Sequence, residues 1–240
     1  MEKIVKKELI GFCRYWLLSL LVIVMFCCVS CDANDQVAIF RQDIVPVNDN
    51  KYVDTSCDGN KKLSDAAKSI IDGSINYDGR YINIDYPMGD VPADMGVCTD
   101  VVIRAYRKLG IDLQPLIFTD MISNPNYYGD KPDKNISHRR VPNMRRFFLK
   151  NGFSKSIYPT SNESKNFSPG DIVIWKIGIN NHIGIVVDEI GPSGNYMIVH
   201  NIGSGQNMDD CLFDWTITGH FTYDAVSNIL DKDKIVPKKW

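Results

Sequence analysis

Long hydrophobic runs, a surplus of either charge and a dense set of cysteines are all missing from this 240-residue chain. Lysine and arginine number 27 against 29 aspartates and glutamates, so no basic excess points to a nucleic-acid partner. The one sustained apolar run, Tyr15 to Val29, covers about 15 residues, short of the roughly 20 that carry a helix across a bilayer. Seven cysteines are too few for a disulfide-dense miniprotein, and four of them stand before residue 32. The four histidines are scattered, and from residue 61 onward no HExxH or CxxC pattern occurs. A zinc hydrolase is therefore a lesser alternative, and no metal or other cofactor is expected. Internal repeats and low-complexity blocks are absent as well. What is present is 44% apolar residues, enough to bury a sizeable core. One globular domain, expected to be a monomer, accounts for it.

The N-terminus differs in composition from the rest. Lys3, Lys6, Lys7 and Arg14 precede the apolar run, and polar Ser30 to Asp35 follows it at once, the layout of a signal peptide over 1–30. Cys28-Val29-Ser30-Cys31 resembles a bacterial lipobox, with Cys28 where leucine is usual. Cys31 would then be lipidated and tie the chain to a membrane of the cell envelope, in the periplasm or at the outer membrane; an uncleaved anchor and ordinary secretory cleavage are the alternatives. Residues 31–60 show no sustained period and read as a tether or an arm packed on the domain. The domain is expected over 61–228, with a tail at 229–240.

Within the domain, Leu63 to Gly73 reads as a short helix with Ser64 as N-cap. Tyr77 to Tyr86 reads as extended. Cys98, Val101, Val102, Ala105, Tyr106 and Leu109 share one face of the clearest helix, whose N-terminal end Asp94 or Asp100 favours. From Ile111 to Arg140 the period is lost among prolines and aromatics, which suggests a long functional loop. Pro142 suits the start of another helix. Strands follow at 172–175, 182–187, 196–200 and 219–223. Helices first and an antiparallel sheet afterwards make an α+β order.

Cys98 in the first turn of its helix feels the positive end of the dipole, which favours a thiolate; the bland alternative is a small buried hydrophobe. His182 opens an apolar strand near the sheet rim, and His200 ends the partner strand, where it can orient the other ring. Neighbouring strand residues point to opposite faces, so of His200 and Asn201 only one can face His182; His200 is preferred. Both histidines bonded to backbone groups is the alternative. His138, Arg139 and Arg140 could bind a peptide carboxylate or merely cap a turn. Asp90, Asp94 and Asp100 crowd Cys98 in sequence, and one of them could grip a substrate ammonium. His220 is expected to be structural and Trp175 core, and Cys57 and Cys211 could pair in an oxidising envelope.

Several blocks carry a resemblance: Tyr86 to Pro92, Gly96 to Arg107, Asn135 to Asn143, Pro169 to Trp175 with His182 to Val186, and His200 to Gly203 with Ile217 to His220. In that order they resemble the bacterial domain-of-unknown-function family 1287 of YijF-like proteins. That family is similar in turn to the NlpC-like and CHAP-like branch of papain-fold cysteine hydrolases. The resemblance implies a papain-like α+β fold with N-terminal helices on an antiparallel sheet. It also implies Cys98 as nucleophile, His182 as base and His200 as orienting residue, acting on an amide of peptidoglycan or a related envelope peptide. Val97 and Thr99 stand where that branch often has Asp and Ser, and the hairpin between the histidines is longer than usual. A non-catalytic cell-wall-binding lipoprotein of the same fold is the competing reading.

Overall fold

The structure is a computed structural model that describes residues 55–158 and 166–224, with side chains from residue 60 onward. The signal peptide, Cys31, most of the tether and the tail at 229–240 lie outside the described residues.

Helix α1 (Thr55–Lys68) starts inside the stretch expected to be a tether and stops before Gly73. Ser64 is therefore mid-helix and not a cap. It is buried, donates to Asp188 Oδ1 at 3.1 Å and accepts from the Asp188 N–H at 3.1 Å, which ties the helix to the sheet. The stretch from Tyr77 to Tyr86 is extended only at its start: β1 (Asn76–Tyr77) pairs in parallel with β2 (Met95–Gly96). Helix α2 (Cys98–Lys108) has the expected apolar face, with Val101, Val102, Ala105 and Tyr106 buried.

The expected long loop is instead two helices, α3 (Leu113–Ser123) and α4 (Pro125–Tyr128), followed by a 3-10 turn at Ser137–Arg139. Apolar residues on all sides of α3 hide its buried line of Leu113, Ile117 and Met121. Pro115 falls in the first turn, where no intrahelical N–H is required, and Asp112 caps the end by accepting from the Gln114 N–H at 3.1 Å. Helix α5 (Val141–Asn151) follows, with Pro142 in its first turn.

The second half forms one sheet: β3 (Phe153–Ser154), β4 (Ile172–Ile177), β5 (Asn180–Ile190), β6 (Tyr196–Asn201), β7 (Gln206–Asp209) and β8 (Thr216–Thr222), in the order β3-β8-β4-β5-β6-β7. Every neighbouring pair is antiparallel. Strands β4 and β5 are apolar at consecutive positions because both faces are covered. Ile172, Ile174, Ile183, Ile185 and Val187 pack with the helices in one cluster that includes Cys98. Val173, Trp175, Val186 and Ile198 form a second cluster behind the sheet with Phe167, Cys211 and Leu212. The architecture is α+β, helices on an antiparallel sheet. Among the described residues no helix is long and apolar enough to cross a membrane.

Candidate active site

Cys98 is the first residue of α2. Asp100 fixes that helix end in two ways: its Oδ2 accepts from the Val97 N–H at 2.7 Å, and its carboxylate takes Arg139 as a fork, Nε to Oδ1 at 2.8 Å and Nη2 to Oδ2 at 2.9 Å. Both partners are buried, with side chains 2% and 3% exposed. Thr99 Oγ1 adds a bond to the Arg139 carbonyl at 3.0 Å. The pair therefore clamps α2 onto the 3-10 turn, and neither Asp100 nor Arg139 is left to hold a substrate. Asp90 is likewise consumed, by Arg104 at 3.0 Å and Arg107 at 3.5 Å. Burial, helped by Arg107 and Arg139, pushes His138 down to about 4, so it sits neutral inside the turn. Asn201 is buried and holds Gly96 O at 3.4 Å and the Gly203 N–H at 3.0 Å. Of the expected binding residues, Arg140 and Asp94 are exposed and free of these duties among the described contacts, and only Arg140 lines the cleft at Cys98.

The cleft at Cys98 holds about 270 Å³ and is lined by Tyr77, Thr99, Arg140, Val141 and Asn181 among others. Two helix ends meet there, because Cys98 opens α2 and Val141 opens α5. Burial pushes the Cys98 thiol up to about 11, with Asp100 adding to it; the Ile183 and Thr99 N–H groups and the Tyr77 hydroxyl, which lie near the sulfur, oppose the shift. The expected gain from the helix dipole is thus outweighed by desolvation. Burial and the Cys98 charge push Tyr77 up to about 12.

His182 and His200 do meet, Nε2 to Nδ1 at 2.8 Å. They sit diagonally, since the register that sets Ile185 against Val199 puts Gly184 opposite His200. Gly184 makes the approach possible: a Cβ there would lie 2.6 Å from Ile198 Cγ2 and 3.2 Å from His200 Cβ. Neither ring is at a rim. His182 is paired with Trp175 across the ladder, and both rings are covered by Trp215, at 6.0 Å from His182 and 6.2 Å from His200. Burial, then the neighbouring His200, pushes His182 down to about 3. Burial also lowers His200, against the pull of Asp209.

Asp209, which the sequence reading did not single out, accepts from His200 Nε2 at 2.8 Å. The free thiol of Cys211 lies 3.8 Å from the same nitrogen; the side chain of Cys57 lies outside those described. The imidazoles therefore belong to the layer behind the sheet, and Cys98 to the layer in front. The thiol reaches the strand at Ile183, one peptide beyond His182, and among the described contacts no hydrogen bond joins Cys98 to His182. Trp175 is core, its Nε1 donating to Leu212 O at 2.9 Å. His220 is structural, holding Asp171 Oδ2 at 2.7 Å and Ser156 O at 2.7 Å.

The family described as "Domain of unknown function (DUF1287)" matches residues 64–223. The chain is also 41% identical over 171 residues, 68% of its own length and 82% of the relative's, to "Uncharacterized protein YijF" of Escherichia coli (strain K12). No solved structure matches. The chain belongs to the DUF1287 family.

Proposed function

We propose that the chain is a cell-envelope cysteine hydrolase with a papain-like fold of the NlpC kind. In this reading it cleaves an amide in peptidoglycan or a related envelope peptide, and a lipid on Cys31 holds it at the membrane. The observation that carries the proposal is the hydrogen-bonded run His182–His200–Asp209, which ends at the strand segment meeting the Cys98 sulfur. A carboxylate only accepts, so the Asp209 contact puts the His200 proton on Nε2 and leaves Nδ1 as acceptor. His182 must then donate from Nε2, and its lone pair stands on Nδ1. That nitrogen takes part in none of the described hydrogen bonds and is not a buried orphan. It is the atom suited to take the thiol proton.

The reaction runs as general-base catalysis from a neutral pair. As substrate enters, sulfur adds to the amide carbon while the S–H proton passes to His182 Nδ1 through one water at the open end of β5, because thiol and ring lie on opposite faces of that strand and a general base can act through a single water. The N–H of Cys98, which has no intrahelical acceptor, and the Tyr77 hydroxyl face the developing oxyanion. The C–N bond then breaks, Nδ1–H protonates the leaving amine, and water hydrolyses the thioester. Mass spectrometry of muropeptides after incubation with wild-type, Cys98→Ala and His182→Ala proteins tests this. New fragments that vanish in both variants support it; fragments that persist in both refute it.

The neutral resting state of Cys98 and His182 favours one other reading, a non-catalytic envelope-binding protein of the same fold. It predicts binding to peptidoglycan without any Cys98-dependent fragment.

A further inference from the structure

The Cys98 cleft does not end at α5. It shares Val141, Pro142 and Asn181 with a second cleft of about 320 Å³, which shares Arg145 and Thr218 with a third of about 340 Å³. Val141, Pro142, Arg145, Arg146 and Leu149 supply one wall; their spacing of i, i+1, i+4, i+5 and i+8 is a single face of α5. The groove follows that face for about 12 Å at 1.5 Å per residue, the length of three to four residues of extended peptide at about 3.4 Å each.

Its charge is one-sided. No aspartate or glutamate lines any of the three clefts among the described residues, although the chain as a whole is slightly acidic at −2. Two of the cations are neutralised where they stand, Arg139 by Asp100 and Lys155 by Asp171. Arg140, Arg145 and Arg146 are not: none makes a described ion pair, and Arg145 has only long contacts, 3.4 Å each, to the Thr218 carbonyl. Arg140 in the first cleft and Arg145 and Arg146 in the second thus leave positive charge along the groove that no described carboxylate offsets. The positive end of α5 lies beside Arg140 and adds to the same field. Guanidinium forks match carboxylate geometry.

We infer that the groove along α5 binds the acidic side of a peptide substrate, with Arg140, Arg145 and Arg146 engaging successive carboxylates on the chain that leads to the bond at Cys98. This rests on the hydrolase reading for the bond but not for the binding. A phosphate-bearing polymer is the rival occupant.

The test is fluorescence anisotropy of labelled, end-capped tetraglutamate and tetraglutamine with the full-length Cys98→Ala protein in non-ionic detergent, with inorganic polyphosphate as competitor. Tetraglutamate should bind at least tenfold more tightly than tetraglutamine, and weaken as NaCl rises from about 20 to about 500 mM. Each of Arg145→Gln and Arg146→Gln should cost about tenfold, the scale of one charge-assisted hydrogen bond. Arg145→Glu, a second variant on the exposed helix face, should weaken tetraglutamate further than Arg145→Gln does, because it replaces an attraction with a repulsion while Arg140 and Arg146 remain. Equal binding of the two neutral-backbone peptides, or no loss in the arginine variants, overturns the inference. Displacement by polyphosphate at far lower concentration than by tetraglutamate overturns the peptide assignment. Carboxylate-selective binding without Cys98-dependent cleavage of peptidoglycan sinks the hydrolase reading alone. Cleavage that ignores the arginines sinks the groove alone.

Discussion

A thiol at about 11 gives a sharp kinetic expectation for Cys98. At pH 7.5 it is ionised to about one part in 3,000, whereas an unperturbed thiol near 8.5 is ionised to about one part in 10. Alkylation by iodoacetamide, which needs the thiolate, should therefore run about 300-fold slower at Cys98 than at a model thiol. Its rate should climb about tenfold per pH unit from pH 6 to 10 without levelling off. Mass-resolved labelling in a pH series, following the Cys98 peptide, reads this directly. A plateau with its midpoint at or below 8.5 would refute the reasoning, because it would mean a preformed thiolate held by imidazolium in place of a neutral pair. The same shift has a stability sign. The folded thiol keeps its proton above 8.5 while the unfolded one loses it, so stability present below about 8.5 falls as pH rises toward 11, by roughly 3 kcal/mol in all.

His182 works in the opposite direction: its folded pKa of about 3 lies below the unfolded value near 6.5, so stability should fall as pH drops from about 6.5 toward 3, and chemical denaturation of His182→Phe in that window should show a flatter slope. Asp209→Asn, with its half-accessible side chain, should fold normally while ¹⁵N NMR shows a changed His200 tautomer, and under the proposed hydrolase reading turnover should fall; unchanged ring-nitrogen shifts would count against the proton assignment. Gly184→Ala should force His200 off His182 and cost about 1–3 kcal/mol by overpacking, seen as a melting temperature lower by several degrees. Arg139→Met should strand the buried Asp100 carboxylate and cost about 3–5 kcal/mol, measurable in urea.

Helix α2 and the four main strands were legible because their apolar residues repeat at the spacing of one buried face or run continuously. Helix α3 was not, since Phe118, Leu116 and Ile122 fill the sides its buried line would otherwise leave polar. Strand β7, Gln206-Asn207-Met208-Asp209, lacks the apolar run of an inner strand, and its role emerges only from pairing with β6. The meeting of His182 with His200 followed from hairpin logic. Their burial did not, because Trp215 comes from a distant segment. Asp90, Asp100 and Arg139 look like binding groups in sequence because charge near a candidate nucleophile is ambiguous; the Asp100–Arg139 and Asp90–Arg104 forks appear only in three dimensions. Asp209 could have been suspected as an acid within reach of His200 once the β6–β7 turn was recognised.

The helix-side thiol and the rear-side imidazoles stand on opposite flanks of a single strand, and this separates two kinds of tuning. Reshaping the groove in front changes what the molecule can hold. Changing the indole cover behind, at Trp215 or Trp175, alters the basicity of His182 without touching anything a substrate meets. In the hydrolase proposed above, a substitution at Trp215 would therefore act on turnover through His182 and leave substrate affinity in place.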